Sequence, residues 1–461
     1  MLLSGARVLE PCFISFAWAK TKQVFLKIFC CSKDTFEDLV KDVEEKLRNA
    51  NINLVFLDTD LKIELMTRLF SALRMVLMVQ PLEELSLSRR ELELLCHSIT
   101  TFKIAKVDEI SSSIYYINPV DSIDSDRMPS AVSENSKKGD PSSIAHFEVY
   151  APLIFAYIRK LSKIENEELK KAFSLADIHN KINKSQEGGR SGSFIYFTPD
   201  NKFIMKMINE SECNSLIHVL YKYYIYIQRY PKSFICRLYG LFAVQLPGLK
   251  KVYFMLMENG IRANKKQKFL TFDLKGSEID RFVKVKEQSE ISKEVLKDVN
   301  LIKLLRSHNP LYEGAINLRD TERKSIFDII ANDANFFKRQ KLMDYSLLFC
   351  IESNEDDSNP FEKEKEQTNT VYSNSKNKVI EDENYRRRVF YSQDRRFRYN
   401  FCIIDFLQEY TFGKKVEHIF KVLKFGKKNS NKISSIPPDD YAARFMIFMK
   451  EKLLVNNVIS Q

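Results

Sequence analysis

The side chain that most clearly suggests chemistry is Lys206, a single charge within the apolar strand pattern of residues 203–208. Alternate side chains of a strand share a face, so this lysine lies on the same side as Ile204 and Ile208. Burying an ammonium group is costly unless an anion meets it. The preceding small-residue run, 188–193, offers backbone N–H groups that suit phosphate oxygens. The pattern predicts a nucleotide-triphosphate site; the alternative is a strand-edge lysine whose ammonium reaches water.

Three further segments carry residues that phosphoryl transfer requires. Asp344 lies between apolar residues, Asp405 ends an apolar strand, and Lys275 precedes a glycine. Transfer needs a lysine on the phosphates, an aspartate that holds Mg²⁺ and a second aspartate that orients the attacking hydroxyl. Each aspartate taken alone is also compatible with a helix cap or a turn. Together with Lys206, these segments favour transfer of a phosphoryl group from a nucleotide.

The sequence does not fit the protein-kinase class, because the catalytic motif of that class is incomplete here. Leu318-Arg319-Asp320 resembles the His-Arg-Asp of that class, but Ser325 stands where a magnesium-binding asparagine is required. No Asp-Phe-Gly sequence follows.

The amino-acid composition limits the chemical classes of binding partner that this chain suits. A net charge of +11 over 461 residues suits an anionic partner, which could be nucleic acid, a lipid headgroup surface or a polyphosphate. The eight cysteines show no C-x-x-C spacing, which argues against a zinc site or disulfide framework and favours a reducing cytosol. No apolar run reaches the ~18 residues of a membrane-spanning helix. Residues 13–31 are apolar but contain three lysines, so we expect a packed element there, with a lipid-contacting amphipathic helix as the alternative.

The elements that position these residues follow from hydrophobic periodicity. Residues 1–117 are predicted to be mainly helical and 118–143 to be a linker. Residues 144–461 are predicted to form one domain with an N-lobe over 144–262, a C-lobe over 263–461 and a disordered insertion over about 352–384. Strands come early and helices late, which favours a two-lobed α+β body over a doubly wound sheet. The predicted strands are 194–197, 203–208, 238–245 and 252–257, and the predicted helices are 150–163, 213–228 and 323–340.

These segments closely resemble the phosphatidylinositol phosphate kinase family, in the family's order from about residue 146 to 450. The resemblance implies a lipid-kinase fold with antiparallel sheets, ATP and Mg²⁺, and a phosphoinositide substrate in an anionic membrane leaflet. It also implies a cytoplasmic protein, peripheral on the inner leaflet of the plasma membrane or another cytosol-facing membrane, and a possible homodimer. The matching segments are Glu148 to Pro152, Gly189 to Phe194, Ile204 to Met207, Asp273 to Ser277 with Arg281, Leu296 to Leu301, Met343 to Leu348, Ile403 to Asp405 and Ile436 to Phe445.

The resemblance also implies roles for individual residues. Lys206 would bind the ATP phosphates with Glu212 as a candidate partner, Asp344 would be the catalytic aspartate, and Asp405 would be the Mg²⁺ ligand. Lys275 and Arg281 would contribute positive charge near the transferring and substrate phosphates. The full nucleotide-binding set is Arg190, Ser191, Gly192, Ser193, Phe194, Lys206, Glu212, Met257, Glu258 and Asp273, and the substrate-binding set is Arg281, Lys297, Lys414, Lys415 and Glu417.

Four positions depart from the family pattern. Cys350 and Cys402 replace glycines, Glu278 stands near a family threonine, and Asn300 replaces an aspartate. The cysteines flank strands that carry the predicted catalytic residues. A catalytically weak phosphoinositide-binding scaffold is therefore the rival interpretation from another functional class.

Substrate choice depends on the predicted activation loop, residues 406–436. Residues 386–432 hold thirteen basic and four acidic side chains without a nucleic-acid motif, which favours an anionic membrane at ~1 kcal/mol per basic residue. Lys414-Lys415-Val416-Glu417-His418 resembles the loop of 4-phosphate 5-kinases, whereas 5-phosphate 4-kinases carry alanine at the position of Glu417. The resemblance therefore implies a 4-phosphate 5-kinase, with the 5-phosphate 4-kinase as the alternative. The alternative role for Glu417 is a surface pair with Lys421.

Overall fold

Short apolar segments form an eight-stranded antiparallel sheet in the first part of the chain, in the order β2-β1-β3-β7-β8-β6-β5-β4. These strands are β1 (Ile99–Ile104), β2 (Ile114–Tyr115), β3 (Ala145–Tyr150), β4 (Gln186–Gly188), β5 (Ser193–Phe197), β6 (Phe203–Ile208), β7 (Leu238–Gln245) and β8 (Val252–Glu258). The structure is a computed structural model that describes residues 59–76, 87–104, 114–115, 145–175, 186–188, 193–262, 268–285, 291, 294–306, 316–354, 386–410 and 436–455.

Five helices accompany this sheet in the described part of the chain. They are α1 (Thr59–Val76), α2 (Arg89–Cys96), α3 (Pro152–Leu161), α4 (Asn166–Ala172) and α5 (Glu210–Arg229). Helix α5 begins with a capping box, in which Asn209 and Glu212 each accept the other's backbone N–H, at 2.8 and 2.9 Å. Its buried face repeats at helical spacing through Leu216, Leu220 and Tyr223. The Tyr223 ring stacks on Phe406 at 5.9 Å, so the helix packs beside the residue that follows Asp405.

A five-stranded sheet forms the second part, in the order β10-β9-β12-β14-β13. Its strands are antiparallel except for β9 and β10, which run parallel. The strands are β9 (Phe269–Leu274), β10 (Val295–Lys297), β12 (Ser346–Ser353), β13 (Val389–Tyr391) and β14 (Phe397–Ile404), and a separate pair joins β11 (Leu342–Met343) to β15 (Gln408–Glu409). Helices α6 (Asp298–Arg306), α7 (Asp320–Arg339) and α8 (Pro438–Phe448) complete this part, with a π-helical turn over Met449–Leu453. The predicted α+β class is confirmed.

The two sheets are joined through buried backbone and charged groups. Cys236 donates its N–H to the Ile403 carbonyl at 2.9 Å, and Ile403 donates to the Phe234 carbonyl at 2.8 Å. Asp333, fully buried on α7, accepts the Tyr226 hydroxyl at 2.7 Å and the Phe234 N–H at 2.8 Å. Buried acceptors and donors without partners are costly, so these bonds hold the two halves in one arrangement.

The structure refines two of the predicted boundaries. The prediction of a mainly helical region up to residue 117 missed β1 and β2, because β1 pairs with β3 over its whole length, from Ile99 opposite Tyr150 to Ile104 opposite Ala145. The first sheet therefore begins before the predicted linker. The predicted insertion starts too early, because β12 continues to Ser353 and Glu352 is buried there against Arg398. Residues 355–385 and the predicted linker lie outside the described residues.

Candidate active site

Four chain segments leave the second sheet at the same edge. Strand β9 ends at Leu274 opposite Leu347, and β12 begins at Ser346 opposite Ile404, the last residue of β14. Because these strands are antiparallel, the end of one meets the beginning of the next. Strand β10 runs parallel to β9 and ends beside it, with Lys297 opposite Asp273. The residues just beyond these strand ends are Lys275, Asp298, Asp344 and Asp405, so the sheet itself brings them together.

Two lysine–aspartate pairs form at this edge. Lys206 Nζ of β6 lies 2.6 Å from Asp405 Oδ1, and Lys275 Nζ lies 2.8 Å from Asp344 Oδ1. Both aspartates have positive φ angles, 63° for Asp344 and 57° for Asp405. Non-glycine residues rarely adopt this conformation, and it is held here because each aspartate sits at a sharp turn next to a strand. The first pair joins the two sheets, across 199 residues of sequence.

The charges at this edge depend on one another. Desolvation disfavours the charged form of Lys206, but Asp405, and then Glu212, raise the pKa of the ammonium above its usual value. Desolvation likewise opposes ionisation of Asp405, but Lys206, with a further contribution from Lys275, lowers the pKa of the carboxyl. Because Lys275 acts on Asp405 while bonded to Asp344, both pairs belong to one electrostatic cluster. At neutral pH Lys206 is therefore an ammonium group and Asp405 a carboxylate.

A cleft opens between the two sheets beside Lys206. Apolar side chains line most of it, and Lys206, Glu212 and Asp405 supply the polar groups. Glu212 was predicted to be the partner of Lys206; instead Asp405 forms the ion pair, and the Glu212 carboxylate caps α5 while facing the cleft. Met257 lies on the cleft wall, as a nucleotide-contacting residue would. The complete lining is Lys206, Glu212, Leu238, Met255, Met257, Asp405, Phe406 and Leu407.

Asp298 is a positioning residue to which the sequence prediction gave no role. It is fully buried and accepts the N–H groups of Lys275 at 2.9 Å, Gly276 at 2.7 Å and Ser277 at 3.4 Å. The turn that carries Lys275 is therefore wrapped around one carboxylate. The sequence did hold a signal, since an aspartate within an apolar segment must find donors.

Two predicted ligand-binding side chains are engaged elsewhere. Arg281, predicted to bind substrate, is buried; its Nε donates to Asp298 at 2.7 Å and it also pairs with Asp273 at 3.3 Å. Its charge is thus neutralised within the protein, and it supports the Lys275 turn through Asp298. Asp273, predicted to bind nucleotide, is the other partner of Arg281.

Glu258, also predicted to contact nucleotide, is only 1% exposed. Its carboxylate pairs with Arg388 and, at 3.4 Å, with Arg387, and it accepts the backbone N–H of Arg237. The Glu258 side chain is therefore the buried counter-ion of an arginine cluster, and a nucleotide contact by this residue stays a prediction.

The remaining predicted residues fall into two groups. Phe194 is buried on β5, and Lys297 is half-buried at the end of β10. The other group lies outside the described residues, except that the backbone of Ser193 forms the start of β5; it comprises Arg190, Ser191, Gly192, Ser193, Lys414, Lys415 and Glu417.

The departures from the family pattern lie away from the cleft lining. Cys402 is buried against Gly260, where a side-chain Cβ would overlap its sulfur, and Cys350 is buried on β12. Burial raises the pKa of the Cys350 thiol to about 12, so it is a neutral core residue. Asn300 accepts the Val283 N–H at 2.9 Å and donates to the Val283 carbonyl at 2.8 Å. An aspartate could not make the second bond.

The carboxylate oxygens at this site suit a Mg²⁺ ion that is bound together with nucleotide. The side chain of Asp405 is 48% exposed, and the ion pair uses its Oδ1, so its other oxygen can face a metal. Within the described residues no group of three or more His, Cys, Asp or Glu side chains could hold a metal. Mg²⁺ commonly needs only one or two carboxylates when substrate phosphates supply further ligands. None of the described helices is both long enough and apolar enough to span a membrane.

Comparison with known proteins agrees with this geometry. Residues 178–452 match a family model described as Phosphatidylinositol-4-phosphate 5-Kinase. The chain is 31% identical over 332 residues to a phosphatidylinositol 4-phosphate 5-kinase of Plasmodium falciparum, covering 67% of this chain and 18% of that protein. It is 28% identical to phosphatidylinositol 4-phosphate 5-kinase its3 of Schizosaccharomyces pombe, covering 67% and 46%, and 27% identical to phosphatidylinositol 4-phosphate 5-kinase 5 of Arabidopsis thaliana, covering 68% and 44%. The chain thus spans less than half the length of these relatives.

Proposed function

Because this chain belongs to the phosphatidylinositol-4-phosphate 5-kinase family, we propose that it is a lipid kinase. It transfers the γ-phosphate of ATP to the 5-hydroxyl of phosphatidylinositol 4-phosphate and makes the 4,5-bisphosphate. The observation that carries the proposal is the cluster of two lysine–aspartate pairs at one edge of a sheet, beside a cleft lined mostly by apolar side chains. The names of the relatives support the choice of lipid.

Each member of the cluster has one task. Lys206 binds the phosphates of ATP and so exchanges its bond to Asp405 for a bond to substrate. Asp405, released from the lysine, would hold Mg²⁺, which when bound neutralises phosphate charge. Asp344 accepts the proton of the attacking 5-hydroxyl, and Lys275 stabilises the charge that develops on the transferring group.

The acceptor is a lipid, so the reaction takes place at a membrane surface. The net charge of +11 supports an anionic, cytosol-facing leaflet as the place of action. The predicted loop with Lys414, Lys415 and Glu417 would meet the headgroup there and select the 4-phosphate. A homodimer remains part of the proposal only by resemblance to the family.

The test is a product-resolved assay with Mg·ATP and vesicles that contain phosphatidylinositol 4-phosphate or phosphatidylinositol 5-phosphate. We expect the 4,5-bisphosphate from the first lipid and loss of turnover in Asp344→Asn and in Lys206→Ala. Asp320→Asn is the matched control, because Asp320 is exposed and lies in the motif that only resembles a protein kinase. Product from the 5-phosphate alone would indicate a 4-kinase. Vesicle binding without phosphorylation would indicate a scaffold.

A further inference from the structure

The last helix, α8, reaches the backbone on both sides of the Lys275–Asp344 pair. The Tyr441 hydroxyl donates to the carbonyl of Tyr345, the residue after Asp344. One turn further along, Arg444 Nη2 donates to the carbonyl of Lys275 at 3.3 Å. A single helix therefore contacts both catalytic turns, although Tyr441 lies 96 residues after Tyr345 and Arg444 lies 169 residues after Lys275 in sequence.

The fit between α8 and the Lys275 turn is close. Gly276 has a φ of +68°, and a Cβ placed on it would lie 3.1 Å from the Phe445 Cα and 3.2 Å from the Arg444 carbonyl oxygen. The turn therefore rests directly on the helix backbone. Any movement of Lys275 toward α8 is blocked, and movement away from it breaks the bond to Arg444.

The opposite side of the turn is held by Asp298. Its carboxylate accepts the Lys275 N–H, whereas Arg444 donates to the Lys275 carbonyl. The peptide groups on both sides of the Lys275 Cα are thus fixed by charged side chains from two different helices. Arg444 is half-buried; desolvation lowers the pKa of its guanidinium, whereas Tyr441 and the carboxylates of Asp298 and Asp344 act in the opposite direction.

We propose that Arg444 is a positioning residue, which keeps the Lys275 ammonium on Asp344 by holding the Lys275 carbonyl. The proposal rests on the proposed function, because it assigns Arg444 a part in the same transfer. Arg444 acts through Lys275 and need not touch either substrate. A displacement of about 1 Å in a catalytic group can lower the rate by roughly 100-fold, so loss of this bond should be visible in turnover.

The first experiment compares Arg444→Met with Lys450→Met. Lys450 is an exposed lysine of the π-helical turn that follows α8, so its removal changes the net charge equally without touching the cluster. We expect Arg444→Met to lower kcat by roughly 10- to 100-fold, with KM for Mg·ATP little changed. Arg444→Lys, which retains one charged donor, should restore part of kcat. Lys450→Met should behave as the parent protein does.

A double-mutant cycle shows whether Arg444 acts through Lys275. Arg444→Met should have almost no further effect on the residual single-turnover rate of Lys275→Met. An equal loss in both backgrounds would overturn the proposal, because Arg444 would then act on another group or on the fold as a whole.

A second measurement is independent of lipid phosphorylation. In the parent, the Lys275 amine is hydrogen-bonded and only 16% exposed, so an acetylating reagent should label it slowly. Mass spectrometry should show severalfold faster labelling of Lys275 in Arg444→Met and no change in Lys450→Met. Unchanged labelling would refute the positioning role. If the parent phosphorylates no lipid, the proposed function fails while this measurement still tests Arg444.

Discussion

The buried glutamate at the end of β8 gives the sharpest stability prediction. Glu258 is 1% exposed and faces three arginines, of which Arg388 is fully buried. Burial opposes ionisation of Glu258, but Arg388, and then Arg387 and Arg237, outweigh it and lower its pKa from 4.5 to about 2. Glu258→Gln removes the counter-ion while keeping the size of the side chain. It leaves the buried arginines without their carboxylate.

Two estimates of the unfolding free energy that Glu258→Gln should lose agree. The difference between 4.5 and about 2, at about 1.4 kcal/mol for each pKa unit, corresponds to about 3–4 kcal/mol at neutral pH. Removing one partner of a buried ion pair costs about 3–5 kcal/mol. The carboxyl has a depressed pKa in the folded state, so its contribution is fully present above pH 4.5 and is lost as the pH falls toward about 2.

Urea unfolding of the parent and of Glu258→Gln at pH 7 measures this difference. Glu93→Gln is the matched control, because Glu93 pairs with the exposed Arg89 at 2.9 Å on α2, and an exposed ion pair contributes little to stability. A loss below about 1 kcal/mol in Glu258→Gln would refute the argument that this carboxylate is an essential buried counter-ion. A folded Glu258→Gln protein with weakened ATP affinity but parental stability would instead support the original prediction of a nucleotide contact.

Three further predictions follow from other parts of the chain. Gly276→Ala places a Cβ against the backbone of α8 and should reduce turnover strongly. Gly248→Ala is the control, because Gly248 has a similar φ of +72° with nothing within 4 Å; this variant should lose only about 1–2 kcal/mol of stability and no activity. Equal activities of the two variants would contradict the close fit between Gly276 and α8. Asn300→Asp turns a carboxylate toward the Val283 carbonyl and should destabilise the protein by about 1–3 kcal/mol in thermal or urea unfolding. An unchanged stability would show that the hydrogen bond from the Asn300 side-chain amide is dispensable. Glu417→Ala should increase use of phosphatidylinositol 5-phosphate relative to the 4-phosphate when both lipids share one vesicle, and an unchanged ratio would leave Glu417 as a surface pair with Lys421.

The N-terminal region shows where local patterns stop being informative. Residues 99–104 are rich in β-branched and aromatic side chains, which favour a strand, but the sequence did not show that they would pair with β3. By contrast, the spacing of apolar residues predicted the strand over 203–208 and a helix over 323–340, which the structure has over Asp320–Arg339. Their side chains are buried at that same spacing in the structure.

The sequence alone determined which residues could do chemistry: Lys206, Lys275, Asp344 and Asp405 stand out as charges in apolar segments. It could not decide what each such charge would face. Arg281 and Glu258 have the same local appearance, yet the fold pairs them with Asp298 and Arg388 inside the protein. Any charge that leaves water needs an opposite charge or a ligand, and the partner comes from a distant part of the chain. Only the tertiary structure therefore separated the charges that face the cleft from those that hold it together.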